Sequence, residues 1–156
     1  MFIPKIPENN LKFQLEDLVN IAQKLEKIKK YEFNNPTNDE ELKILETRLD
    51  FILPDEYKDF LRFSNGLILN GSTAEFFSIE EIIKFYEKKK ATDFPSDYIV
   101  IAFLIGDGEV LCVSSETGKF IRYFDGEEEF FDTFKDVLEN IIEHIKTIEE
   151  DYLLED

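Results

Sequence analysis

Cysteine, histidine and tryptophan are nearly missing from this chain, and their scarcity removes whole classes of chemistry. Cys112 is the one cysteine among 156 residues, so no internal disulfide can form, which fits a reducing compartment. Set among apolar neighbours in a strand pattern, it reads as a small core residue and not as a nucleophile. His144 is the one histidine and cannot build a His-rich metal site. It is expected on the surface of the last helix, away from the main isoleucine stripe. Glycine and proline number 6 and 5, too few for a disordered or low-complexity segment. No Gly-x-Ser-x-Gly turn is present. Gly106-Asp107-Gly108 lacks the strand-to-helix context of a phosphate loop and reads as a hairpin turn.

Long apolar runs are also lacking. The longest, Tyr98 to Ile105, is strand-length and far from the roughly 20 residues of a membrane span. The opening Met1-Phe2-Ile3-Pro4-Lys5-Ile6-Pro7 is too short and too broken by proline to read as a signal peptide, so the chain is expected in the cytoplasm. Basic residues are outnumbered, 18 against 35 acids, for a formal net charge of −17. Residues 1–90 carry 17 acids and 14 bases, whereas residues 91–156 carry 18 acids and 4 bases. The second half therefore repels nucleic acid and anionic lipid and attracts basic partners, in a salt-dependent way. Such a charge also serves solubility alone. The lysine clusters at 24–30 and 88–90 lack interleaved aromatics and read as solvated helix ends, not a nucleic-acid surface.

What is present is a phenylalanine-rich core, with 16 Phe and 43% hydrophobic residues in a length suited to one domain. The organising stretch is Leu53 to Gly66. Pro54 suits a first helical position, Asp55 and Glu56 face the positive end of the helix dipole, and Tyr57, Phe60 and Leu61 share one face. Asn65-Gly66 is a stop signal, because both residues tolerate the left-handed conformation.

Residues 1–10 read as an extended arm, and Leu11 to Lys30 as a first helix with Asn10 as a possible cap. Tyr31 to Pro36 reads as a connector. Thr37 to Glu40 has a capping-box pattern opening a second helix that runs to about Asp50. After Gly66, Leu67 to Leu69, the Asn70-Gly71 hairpin signal and Ala74 to Phe77 predict a hairpin. Ser78 to Glu81 opens a fourth helix ending in Lys88 to Lys90, and Phe94 to Asp97 reads as a linker. A three-strand meander follows: Tyr98 to Ile105, Glu109 to Ser115 and Lys119 to Phe124. Asp125 to Glu129 reads as an acidic loop, Thr133 opens the last helix, and 149–156 reads as an acidic tail. The expectation is a single α+β domain over 11–148, its central antiparallel sheet packed with flanking helices.

The order of these pieces resembles the SUKH superfamily, which includes the yeast cell-wall-assembly regulator and many bacterial immunity proteins of polymorphic toxin systems. The resemblance spans roughly residues 35–145 and rests on Leu45-Glu46 to Leu49, Leu53-Pro54 to Gly66, Phe76 to Ile82, Tyr98 to Ala102, Gly106 to Gly108, Leu111 to Val113, Thr117 to Lys119 and Thr133 to Leu138. Thr133 stands where the family usually has serine before the phenylalanine, and the turn around Gly106 is shorter than in many relatives. The resemblance implies an α+β fold, no enzyme activity and no cofactor. It also implies a protein partner: a cognate toxin for an immunity protein, or cellular peptides for a regulatory or scaffolding module. No family site residue transfers onto this chain.

The residues themselves single out Tyr123 to Asp132, where aromatics alternate with dense negative charge, as suits a protein interface. Asp107, Asp125, Glu127, Glu128 and Glu129 are the candidate contacts for a basic, nuclease-like toxin, with Tyr123 as an anchor. Phe130 and Phe131 can instead staple the last helix to the core, and both roles can hold for different side chains. The acids near the meander turns could do metal or acid–base chemistry, but nothing in their spacing resembles an EF-hand. An acidic hydrolase or a metal-dependent enzyme has no support beyond abundant carboxylates.

Overall fold

A computed structural model describes residues 1–27, 30–69, 74–88, 95–104 and 108–154, with side chains to 147. The Asn70-Gly71 signal, Lys89-Lys90, Phe94 and Ile105 to Asp107 lie outside the described residues. The elements are α1 (Lys12–Leu25), β1 (Tyr31–Phe33), α2 (Asp39–Leu49), α3 (Asp55–Phe63), β2 (Leu67–Leu69), β3 (Ala74–Phe76), α4 (Ile79–Lys88), β4 (Tyr98–Leu104), β5 (Val110–Ser114), β6 (Phe120–Phe124), β7 (Glu127–Phe131) and α5 (Phe134–Leu154). All seven strands form one antiparallel sheet in chain order, so the α+β expectation holds.

Two strands were not anticipated. Tyr31–Phe33, expected in a connector, pairs with β2 and forms one edge of the sheet. Glu127–Phe131, whose glutamates were expected in a loop, pairs with β6 and forms the other edge. The physical reason is a tight turn. Asp125 and Gly126 both adopt positive φ, 49° and 84°, which is the type I′ geometry that matches strand twist. The first helix ends at Leu25, earlier than expected, and α5 continues through Leu154 into the stretch expected as a tail. Residues 1–7 carry no regular structure, though Pro4 is buried and Ile3 and Ile6 pack against the core.

The stretch Leu53 to Gly66 organises the core as expected. Phe134, at the start of α5, lies 5.2 Å from the Tyr57 ring, 5.0 Å from Phe60, 6.0 Å from Phe76 and 5.2 Å from Phe120. Rings from α3, β3, β6 and α5 thus interlock in tilted and edge-on geometries, at centroid distances that suit aromatic pairs. Tyr57, Phe60, Phe120 and Phe134 are all buried.

Asn65-Gly66 does more than stop α3. Ser64 leaves the helix in an extended conformation, and its hydroxyl accepts the Asn34 N–H at 2.9 Å. The Asn65 carboxamide oxygen accepts the Ile79 N–H at 2.8 Å, so it caps α4. Gly66 has φ +85°, and a β-carbon there would lie 2.8 Å from the Ser78 nitrogen and 2.9 Å from the Phe76 oxygen.

Capping follows the sequence at α4 and α5 but not at α1, where Asn10 is not the cap: the N-cap position is Leu11, whose N–H is accepted by the Asn9 side chain at 2.8 Å. Ser78 and Glu81 cap reciprocally, at 3.0 and 3.2 Å. Thr133 accepts the Asp136 N–H at 3.1 Å. Asn38, not Thr37, caps α2, accepting the Glu41 N–H at 2.8 Å.

Candidate partner-binding surface

The end of the sheet formed by β4 to β7 carries the sequence-singled residues. Register assigns their faces. Phe120 pairs with Phe131, Arg122 with Glu129 and Phe124 with Glu127, and all six share one face. That face is the α5 side, because Phe120 meets Phe134 and Arg122 donates to the Asn140 side chain at 3.4 Å. Ile121, Tyr123, Glu128 and Phe130 share the opposite face.

The three consecutive glutamates therefore do not form one patch. Glu127 and Glu129 lie on the α5 side and Glu128 on the other, all three exposed. Asp125 sits exposed at the tip of the turn. Tyr123 is half-buried, and its ring stands edge-on to Tyr98 at 6.1 Å. Asp107 lies outside the described residues.

Tyr98 joins this group although the sequence did not assign it there, and Phe130, which the sequence left between surface and core, falls on the surface. Tyr98, at the start of β4, donates its phenol to the Glu128 carboxylate at 2.9 Å, although β5 and β6 stand between their strands. It is buried, and burial raises its pKa well above 10.0, with the hydrogen bond to Glu128 and the charges of Glu128 and Asp97 acting the same way. Phe130 is 58% exposed on the same face as Glu128. The period-2 alternation of β7 would have separated Phe130 from Phe131 had the strand been recognised. Phe131 is half-buried against the core, so the two adjacent phenylalanines divide between surface and core, as the sequence reading allowed.

The α5 side of β7 runs into an open groove between α1 and α5. It measures about 460 Å³, and its lining includes Phe13, Phe131, Asp17, Asp136, Glu139 and Glu143. Phe13 is 74% exposed. The lysine of the groove, Lys146, is held by Asp17 at 3.5 Å. Arg122, the cation on the sheet beneath, is paired with Glu109. The local bases are thus largely engaged, and acceptors and aromatic faces are what the surface presents.

Cys112 is buried in β5 and His144 is exposed on α5, as expected. Among the described residues, no group of three or more His, Cys, Asp or Glu could hold a metal ion. No helix among them is long and apolar enough to cross a membrane.

Comparison with known proteins decides the family. A model of the SMI1 / KNR4 family (SUKH-1) matches residues 36–140. The chain belongs to that family. The matched region starts just before α2 and ends within α5, so it includes the whole β4–β7 surface. A relative in Bacillus subtilis (strain 168), the uncharacterized protein YnaB, is 32% identical over 73 residues. That match spans 47% of this SUKH-1 chain and 48% of YnaB, about half of each.

Proposed function

We propose that this SUKH-1 protein is a cytoplasmic immunity protein. It binds a basic toxin domain through the acidic, aromatic end of its sheet and blocks that domain without catalysing a reaction itself. The observation that carries the reading is the β6–β7 hairpin at a sheet edge, where Asp125, Glu127, Glu128 and Glu129 are all exposed and Phe130 is exposed on the face it shares with Glu128. Aromatic anchors in a field of one sign favour a partner of the other sign, which they steer and orient. Nuclease toxins hold phosphates with cationic surfaces, so such a toxin would be complementary.

The test is co-purification of tagged protein from its own cells at low and high salt, beside a variant carrying Glu127→Lys, Glu128→Lys and Glu129→Lys. One basic partner, released by salt and weakened by about tenfold or more in the variant, is the expected outcome. Unchanged binding with unchanged salt dependence would reject this surface. Many unrelated partners would instead favour a regulatory or scaffolding module.

A further inference from the structure

The free edge of β7 is a template for another strand. Its two-residue turn makes Phe124–Glu127 the first hydrogen-bonded pair of the hairpin. Antiparallel alternation then makes Arg122–Glu129 and Phe120–Phe131 the next such pairs. The backbone N–H and C=O of Glu128 and Phe130 consequently point away from β6. Among the described residues no strand lies beyond β7.

We propose that this edge takes up an extended basic segment of the partner protein as an eighth strand. The inference rests on the reading above that the partner is basic, and it specifies how that partner is held. Charge selects the occupant. A second copy of this chain would bring its own Glu127 to Glu129 against these glutamates, a like-charge contact that opposes edge pairing. A strand with lysine or arginine at alternate positions meets the opposite situation. Its basic side chains would lie on the α5 side, beside Glu127 and Glu129 and towards Asp136 and Glu139 of the groove. Its intervening apolar side chains would lie beside Phe130, on the face shared with Tyr123. Backbone hydrogen bonds supply the affinity in this mode, and alternate side chains supply the selectivity.

The experiment uses the full chain and a peptide of alternating lysine and valine, with alternating glutamate and valine as control. Amide exchange of the unaltered protein is followed residue by residue. The lysine peptide should slow exchange at the Glu128 and Phe130 amides, and the glutamate peptide should not. Phe130→Pro removes an outward N–H without touching the β6 ladder, because proline is tolerated on the open side of an edge strand. It should weaken peptide binding about tenfold or more, while Glu129→Gln weakens it less and lowers its salt dependence. Absence of binding, binding without slowing at those two amides, or equal binding by Phe130→Pro each overturns the edge pairing. A toxin captured equally well by Phe130→Pro would leave toxin binding standing but reject both the strand and the Phe130 anchor. Peptide uptake at the edge in a protein that captures no toxin would do the reverse.

Discussion

Glu128 holds the Tyr98 phenol at 2.9 Å on the face of the sheet opposite α5, and that single bond sets a testable pH response. The pKa of Tyr98 is raised by burial and then by Glu128, and that of Tyr57 by burial alone. A phenol whose folded pKa exceeds its unfolded value of 10.0 stays protonated in the native state while the unfolded chain ionises. The stability it contributes is complete below about pH 10 and is lost as pH rises beyond it. Urea midpoints should therefore fall above pH 10, and less steeply in a variant carrying both Tyr57→Phe and Tyr98→Phe. At neutral pH the two substitutions separate. Tyr98→Phe forfeits a hydrogen bond and should cost about 1 kcal/mol. The Tyr57 hydroxyl is buried with no hydrogen-bond partner among the described residues, so Tyr57→Phe should leave stability unchanged or raise it by up to about 1 kcal/mol. Gly66 and Gly126 form a second residue-scale contrast. Both have positive φ, but among the described residues nothing lies within 4 Å of a β-carbon at Gly126, whereas one at Gly66 collides with backbone. Gly126→Ala should cost only the conformational penalty of about 1–2 kcal/mol. Gly66→Ala should cost more, about 3 kcal/mol or above in equilibrium urea unfolding.

At the scale of elements, legibility followed periodicity. The helices and β4 to β6 carry apolar spacing that burial imposes, so α3, with Tyr57, Phe60 and Leu61 on one face, could be read nearly residue by residue. Strand β1 hides because Tyr31-Glu32-Phe33 offers only three residues of alternation. Strand β7 hides for a different reason. Glu127 to Phe130 are exposed whichever face they occupy, so no alternation is written into them. The usable signal was Asp125-Gly126, a dipeptide that favours type I′ turns and implies a returning strand. Missing that strand had a consequence for the candidate site. Acids read as one loop are in fact sorted onto two faces, and Tyr98, 30 residues from Glu128, joins them only through the sheet. Because the hairpin is an element and not a loop, Glu127→Thr and Glu129→Thr together, with Glu128 kept to hold the Tyr98 phenol, should raise stability modestly, since threonine suits a strand and glutamate does not. The same variant should lose soluble yield through edge-to-edge association, which light scattering would detect.

For the whole molecule, the net charge of −17 acts on stability and on binding with opposite signs of salt dependence. Like charges on one compact body repel, and most of the excess lies in residues 91–156, which build β4 to β7 and α5. At about 10 mM salt the screening length is roughly 30 Å, comparable with a domain, so this repulsion is felt across the molecule. At about 150 mM it shrinks to roughly 8 Å, and only neighbouring charges interact. The free protein should therefore gain thermal stability as salt rises through this range, by a few degrees if about 1 kcal/mol of repulsion is screened. Association with a basic partner should weaken over the same range, because screening removes the attraction that steers it. Reversing Glu127, Glu128 and Glu129 to lysine should flatten both responses together. Thermal melts and partner affinity measured at matched salt concentrations check this. An affinity that rises with salt while stability also rises would place the partner contact on apolar surface, away from the acidic hairpin.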